Sequence, residues 1–410
     1  MKRCSVGARV GLMAMVLCLA GLFPNAISMP QASAKKSATK PPNSTTKGDP
    51  KSEQPKFKAI WEPVNVRDDL ELMSVHFATA DEGWVAGGRS VMAGGVILHT
   101  KDGGANWEVQ LGDPQSSDRA YRDLRFVEPK IGFAVQSTGG GDHQLLRTTD
   151  GQNWAPSGTV GQHRTDYRFI SADVGFYAGG AEIYRTRNGG RTWEPVYQCR
   201  VKAEINGLTR DVNCEFDQLY FVDANVGYAT SRRIESGAGF VMAKTEDGGA
   251  TWTPWVILPG EDGKEGALHF FDANTGVMRT INGKVFRTTD GGKTWTSVPG
   301  QIDGKPNIEF ADAEVGWMVR YNSMMYTTNG GKSWVSRNIG FPASVTAFSL
   351  VQRDRGYAAG PHGMVYRYRI VPIAESGTTT KFMTTNTATP YKIPQTTGCS
   401  VSTAIFLLAA

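Results

Sequence analysis

Strong charge of either sign, long apolar runs and helical heptads are all missing from this 410-residue chain. The formal net charge is only +5, too weak a basic excess to argue for nucleic acid, although an acidic protein surface would suit it. The longest apolar stretch, residues 10–23, has 14 residues. A membrane-spanning helix needs about 20. Cysteine is scarce: of five, Cys4 and Cys18 lie near the start, Cys399 is alone near the end, and only Cys199 and Cys214 fall close together. The six histidines are scattered. No phosphate-cradling glycine loop, Ser/His/Asp spacing or metal-ligand cluster stands out, so the reading includes no cofactor, no metal and no catalytic residue.

The first 34 residues carry the marks of an export signal. Lys2, Arg3 and Arg9 precede the apolar stretch, and Ala26-Ile27-Ser28 and Ala32-Ser33-Ala34 offer two small-x-small cleavage sites. Leu17 stands before Cys18 where a lipidation site wants a small residue. The expected location is periplasmic, lumenal or extracellular, with membrane association if the signal stays uncleaved. In an oxidising compartment Cys199 and Cys214, 15 positions apart, are expected to form a disulfide. Residues 35–56 are polar and Pro-rich and read as a flexible linker; 372–410, rich in Ser and Thr, read as a disordered tail.

What the chain does have is glycine, tryptophan and a repeat. A Gly followed by a large or apolar residue recurs at Gly83, Gly132, Gly175, Gly227, Gly276, Gly316 and Gly356, spaced 49, 43, 52, 49, 40 and 40 residues apart. Between these, a Thr-x-Asp/Asn-Gly-Gly-x-x-Trp box starts at Thr100, Thr148, Thr186, Thr245, Thr288 and Thr327, the second copy one residue short. A period of this size, with several short strands per unit, predicts an all-β, seven-bladed propeller of four-stranded blades over 57–371. The seventh unit has no box. Its missing outer strand is expected at the other end, because Trp61-Glu62-Pro63-Val64 mimics Trp193-Glu194-Pro195-Val196. Such closure removes exposed sheet edges, and a monomer is expected.

Each box should lie where the third strand of a blade turns into the fourth. Asp102, Asp150, Asn188, Asp247, Asp290 and Asn329 are expected to accept backbone N–H groups of their own turns, and the glycines to supply positive φ. Trp107, Trp154, Trp193, Trp252, Trp295 and Trp334 should start the outer strands. One carboxylate or amide per box is too few oxygens for a calcium loop.

These boxes resemble the Asp-box (BNR) repeat of sialidases, sortilin-type receptors and xyloglucan hydrolases. The text "(I/V)-(F/Y)-R-T-x-D/N-G-G-x-T-W", here at Ile183 to Trp193 and Val285 to Trp295, is most similar to the photosystem II stability/assembly factor family. That resemblance implies a non-catalytic, exported, assembly-factor or chaperone-like propeller binding a protein partner, a membrane protein or assembly intermediate. A carbohydrate-active or carbohydrate-binding propeller is the alternative. Against it, a sialidase-type Phe-Arg-Ile-Pro signature is lacking; the nearest text is Tyr368-Arg369-Ile370-Val371. The acids Asp81, Glu128, Asp173, Asp223, Asp272, Asp312 and Asp354 occur once per repeat, as turn formers do.

Binding concentrates on exposed loops of rigid scaffolds. In a propeller the face opposite the boxes carries the second-to-third turns and the blade-to-blade connections. Four of these are long: 109–121, 155–166, 195–217 and 230–239. They hold Arg119, Arg164, Arg200, Lys202, Arg210, Arg232 and Arg233, a candidate basic loop face for an acidic protein partner.

Overall fold

The computed structural model describes residues 57–66, 68–90, 93–115, 119–137, 143–161, 166–205, 207–231, 234, 239–259, 265–302 and 307–372. Residues 1–56, where a signal and a linker are expected, and residues 373–410 lie outside them, as do Arg164, Arg232 and Arg233. Seven four-stranded antiparallel sheets follow one another, each running outward in chain order from an innermost strand. The seventh contains Ala347–Gln352, Arg355–Ala359 and Val365–Pro372, and its outer strand is Phe57–Pro63. Trp61 lies opposite Tyr368, which lies opposite Gly356. Thr186 likewise lies opposite Gly175, one position beyond the Arg185–Glu194 pair. The N-terminal strand therefore completes blade seven at the level where a box tryptophan starts other outer strands.

Why glycine recurs becomes clear at the box end of each blade. Phe77, Phe126, Phe169, Phe221, Phe270 and Phe310, at or near the ends of the innermost strands, pair with Gly83, Gly132, Gly175, Gly227, Gly276 and Gly316. A Cβ on Gly83 would come within 2.4 Å of the Phe77 ring. Its absence lets the ring cross the second strand and meet the box tryptophan edge-on, at 6.2 Å for Phe77–Trp107 and 5.8 Å for Phe310–Trp334. After five of the seven glycines the next residue is an aromatic that stacks on the following blade. Tyr357 stacks on Phe77, Trp84 on Phe126, Phe133 on Phe169, Phe176 on Phe221 and Tyr228 on Phe270. Each such pair contributes about 0.5–1.5 kcal/mol beyond area burial.

The boxes close on themselves. Thr100 Oγ1 donates to Asp102 Oδ1 (2.8 Å) and accepts from Gly104 N (2.9 Å), while Asp102 Oδ1 accepts from Asn106 N (2.9 Å). The equivalent amide contacts are Asn153 to Asp150, Thr192 to Asn188, Thr251 to Asp247, Thr294 to Asp290 and Ser333 to Asn329. Hydrogen bonds from Thr251 hold the Asp247 carboxyl down to about 2. Both box glycines, such as Gly103 (φ 69°) and Gly104 (φ 87°), are left-handed, which is costly for other residues. Trp107, Trp154 and Trp295 donate their indole N–H to Val64 O, Gln110 Oε1 and Gly292 O. The indole nitrogens of Trp193, Trp252 and Trp334 are buried without a hydrogen bond.

One expectation is corrected. Residues 195–217 are not a long irregular loop. Glu194–Gln198 is the outer strand of blade three, and Arg200–Ile205 with Leu208–Asn213 forms a two-stranded hairpin. Val201, Ala203 and Ile205 alternate with exposed residues and are buried, packed with Val212, Ile234 and Val256. This period-two face gives the ribbon its footing.

Candidate functional site

Two places on the propeller gather polar chemistry. The first is the hairpin after blade three. A disulfide between Cys199 and Cys214 joins its two ends (Cα–Cα 5.5 Å). Cys199 N donates to Ala181 O (2.7 Å) and Phe216 N to Gly180 O (2.8 Å), which fixes the base of the ribbon to the second-to-third turn of blade three. Arg200, Lys202 and Arg210 are all exposed. The register pairs Arg200 with Asn213, Lys202 with Asp211 and Ala203 with Arg210. Arg200 and Lys202 therefore share one side of the ribbon, whereas Arg210 stands on the other. Arg119 is exposed in the connection between blades one and two, and its carbonyl accepts from Gly95 N (2.8 Å). The hairpin thus unites two of the predicted cations, separates a third from them and leaves Arg119 on a different connection.

The second place is the central channel, which has a cavity of about 860 Å³. All seven innermost strands contribute to its wall. At one level each blade supplies the residue opposite the apolar side chain that follows its glycine. Around the ring these are His76, Arg125, Arg168, Tyr220, His269, Glu309 and Ser349. His76 stacks on Phe126, and burial pushes its pKa down to about 4, as it does for His269. Both are neutral at pH 7.

Arg125 and Arg168 share one acid. Asp166 Oδ1 meets Arg125 Nη2 at 2.9 Å; Oδ2 meets Arg168 Nη2 at 3.3 Å and accepts from Leu219 N at 3.0 Å. Burial raises the Asp166 carboxyl to about 6, against the pull of Arg125 and the Leu219 amide. Arg168 Nε donates to Leu219 O (2.9 Å), but its Nη1 is buried without a hydrogen bond. Glu309 accepts no hydrogen bond among the described residues. Burial pushes it up to about 7, with Arg125 pulling the other way. The sequence reading missed this ring. Its members share a position but not a residue type; only the constant spacing before each recurrent glycine marks them. Among the described residues no group of three or more His, Cys, Asp or Glu could hold a metal ion.

No family model matches the chain. Among curated proteins it is 22% identical over 334 residues to photosystem II assembly protein Ycf48 of Synechococcus sp., covering 75% of this chain and 88% of that protein. It is 24% identical over 346 residues to photosystem II stability/assembly factor HCF136 of Arabidopsis thaliana, covering 75% and 79%. Among solved structures, Ycf48 bound to D1 peptide gives a TM-score of 0.55 at 17% identity, covering 75% of this chain and 96% of that one. A GH74 enzyme of Niastella koreensis gives 0.51 at 15% identity, covering 75% and 53%. The chain is a seven-bladed propeller similar, over three quarters of its length, to photosystem II assembly proteins.

Proposed function

We propose that this is an exported, non-catalytic assembly factor that holds an acidic segment of an incompletely assembled membrane protein on its basic loop face. The likeness to assembly proteins along most of their length carries the reading. The solved relative bound to a D1 peptide supports a polypeptide ligand. Arg200 and Lys202 are exposed on a disulfide-based ribbon, on the same side as Glu204 and Asp211, and are the cations such a segment would meet there. Arg210, on the other side of the ribbon, and Arg119, on another connection, belong to the proposed loop face, as do Arg164, Arg232 and Arg233, which lie outside the described residues.

The test is capture of the partner by the mature protein before and after reversal of Arg200, Lys202 and Arg210 to Glu. Capture should vanish while the thermal melt stays in place. It should also weaken with salt, because exposed charges are screened within about 8–10 Å. Undiminished, salt-insensitive capture by the triple variant would remove the loop face from the reading.

The carbohydrate-active alternative draws on the raised carboxylates of the channel. Glycoside hydrolysis needs two available acids. Asp166 is already held by two arginines and an amide, which leaves Glu309 without a partner for that chemistry.

A further inference from the structure

The seven blades follow in order around the channel, so residues three blades apart face each other across it. Blade six, with Glu309, lies three steps from blade two, with Arg125, and three from blade three, with Arg168. The ring therefore sets an acid without a hydrogen-bond partner on one wall. Opposite stand two arginines that share Asp166 and keep one buried nitrogen, Arg168 Nη1, without a hydrogen bond.

We propose that the channel binds a small zwitterion of the amino-acid type, with its ammonium on Glu309 and its carboxylate on Arg168 and Arg125. The opposed walls select this class. Glu309 stands across the channel from two guanidinium groups, and Asp166 and Asp217 also line it. Each charged end of a zwitterion would meet a group of opposite sign, as a buried charge requires. Its two ends supply what the two walls lack. The cavity, about 860 Å³, is of the size that takes small ligands. The remaining ring members suit this assignment: His76 and His269 are neutral, Tyr220 donates its hydroxyl to Phe270 O (3.0 Å), and Ser349 Oγ accepts from Phe77 N (3.2 Å). Arg122, farther along the wall, lies 3.7 Å from Asp123. The site is separate from the loop face, so each reading can fail without the other.

Binding ionises Glu309. At pH 7, where the empty group is close to half protonated, occupancy should release protons. The experiment is calorimetric titration of the mature protein with glycine, β-alanine and γ-aminobutyrate, zwitterions of increasing span, with ethylamine and acetate as single-charge controls. Repeating it in two buffers of different ionisation heat counts the protons. At least one zwitterion should saturate with proton release, and both controls should bind more weakly. Glu309→Gln, which keeps the shape, should weaken binding by at least about tenfold and abolish the proton release, as expected for loss of a charge-assisted hydrogen bond. Arg168→Lys should weaken the zwitterion while leaving ethylamine unchanged. Equal binding by wild type and Glu309→Gln, acetate binding as tightly as any zwitterion, or no saturation with any probe would overturn the proposal.

Discussion

At the scale of single residues, the fold rests on one exchange: a side chain is given up on the second strand so that a phenylalanine can lie across it. Gly83→Ala sets a methyl group 2.4 Å from Phe77 Cδ1, so one of the two must move. Overpacking of this kind costs about 1–3 kcal/mol. Phe77→Leu should also destabilise, by loss of the stack on Tyr357 and the edge contact with Trp107. The double variant should lose less than the sum, because leucine leaves room for the methyl. Denaturant melts of the four proteins decide it; strictly additive costs would separate the glycine from the ring. The glycines and boxes were legible in the sequence because they repeat as identical letters. The phenylalanine six residues before each of six glycines is just as regular, yet it hides among other apolar residues of the strand. The channel ring was illegible for the opposite reason: His, Arg, Arg, Tyr, His, Glu and Ser have nothing in common except the level at which the sheets hold them.

At the scale of elements, the hairpin after blade three shows how polar content can mask a strand. Arg200, Lys202 and Glu204 suggested a loop, but they alternate with Val201, Ala203 and Ile205, which are buried. Both signals come from the same six residues, and the buried set decides the conformation because it has a surface to cover. The disulfide then clamps an element that already has a ladder of its own. In the chain-entropy model a 15-residue loop is worth about 3 kcal/mol; the ladder makes this an upper figure. Replacing Cys199 and Cys214 together by Ala should therefore cost less than that globally. Its effect should concentrate locally, with faster hydrogen exchange of the hairpin amides and unchanged exchange in blade seven, on the far side of the ring. Uniformly faster exchange would mean that the bridge supports the whole ring and not the ribbon.

At the scale of the molecule, the ring is held shut by its two ends. Trp61 is wedged among Trp317, Phe341, Phe348 and Tyr368. Glu62 accepts from Arg369 Nε (2.7 Å) and Arg367 Nη2 (3.2 Å), and the Arg369 bond is the main cause of its lowered pKa. Deleting residues 57–66 removes all of this and bares the edge of Val365–Pro372. Truncation of a large aromatic alone costs about 3–5 kcal/mol when fully buried. The shortened protein should melt well below the intact one and self-associate through the open edge, read by calorimetry and size-exclusion chromatography. An unchanged melt would show that the seventh sheet does not need its fourth strand. The same closure dictates an order in time. The strand nearest the N-terminus is the first of the propeller to be made, and its partner is the last, about 300 residues later. At roughly 5–20 residues per second, about 15–60 s separate the two. Throughout that interval Trp61 waits uncovered, and an exported chain can shut its ring only after the final blade has crossed the membrane. On the proposed reading of an exported protein, whatever carries the chain across must deliver the last strand before the ring can close.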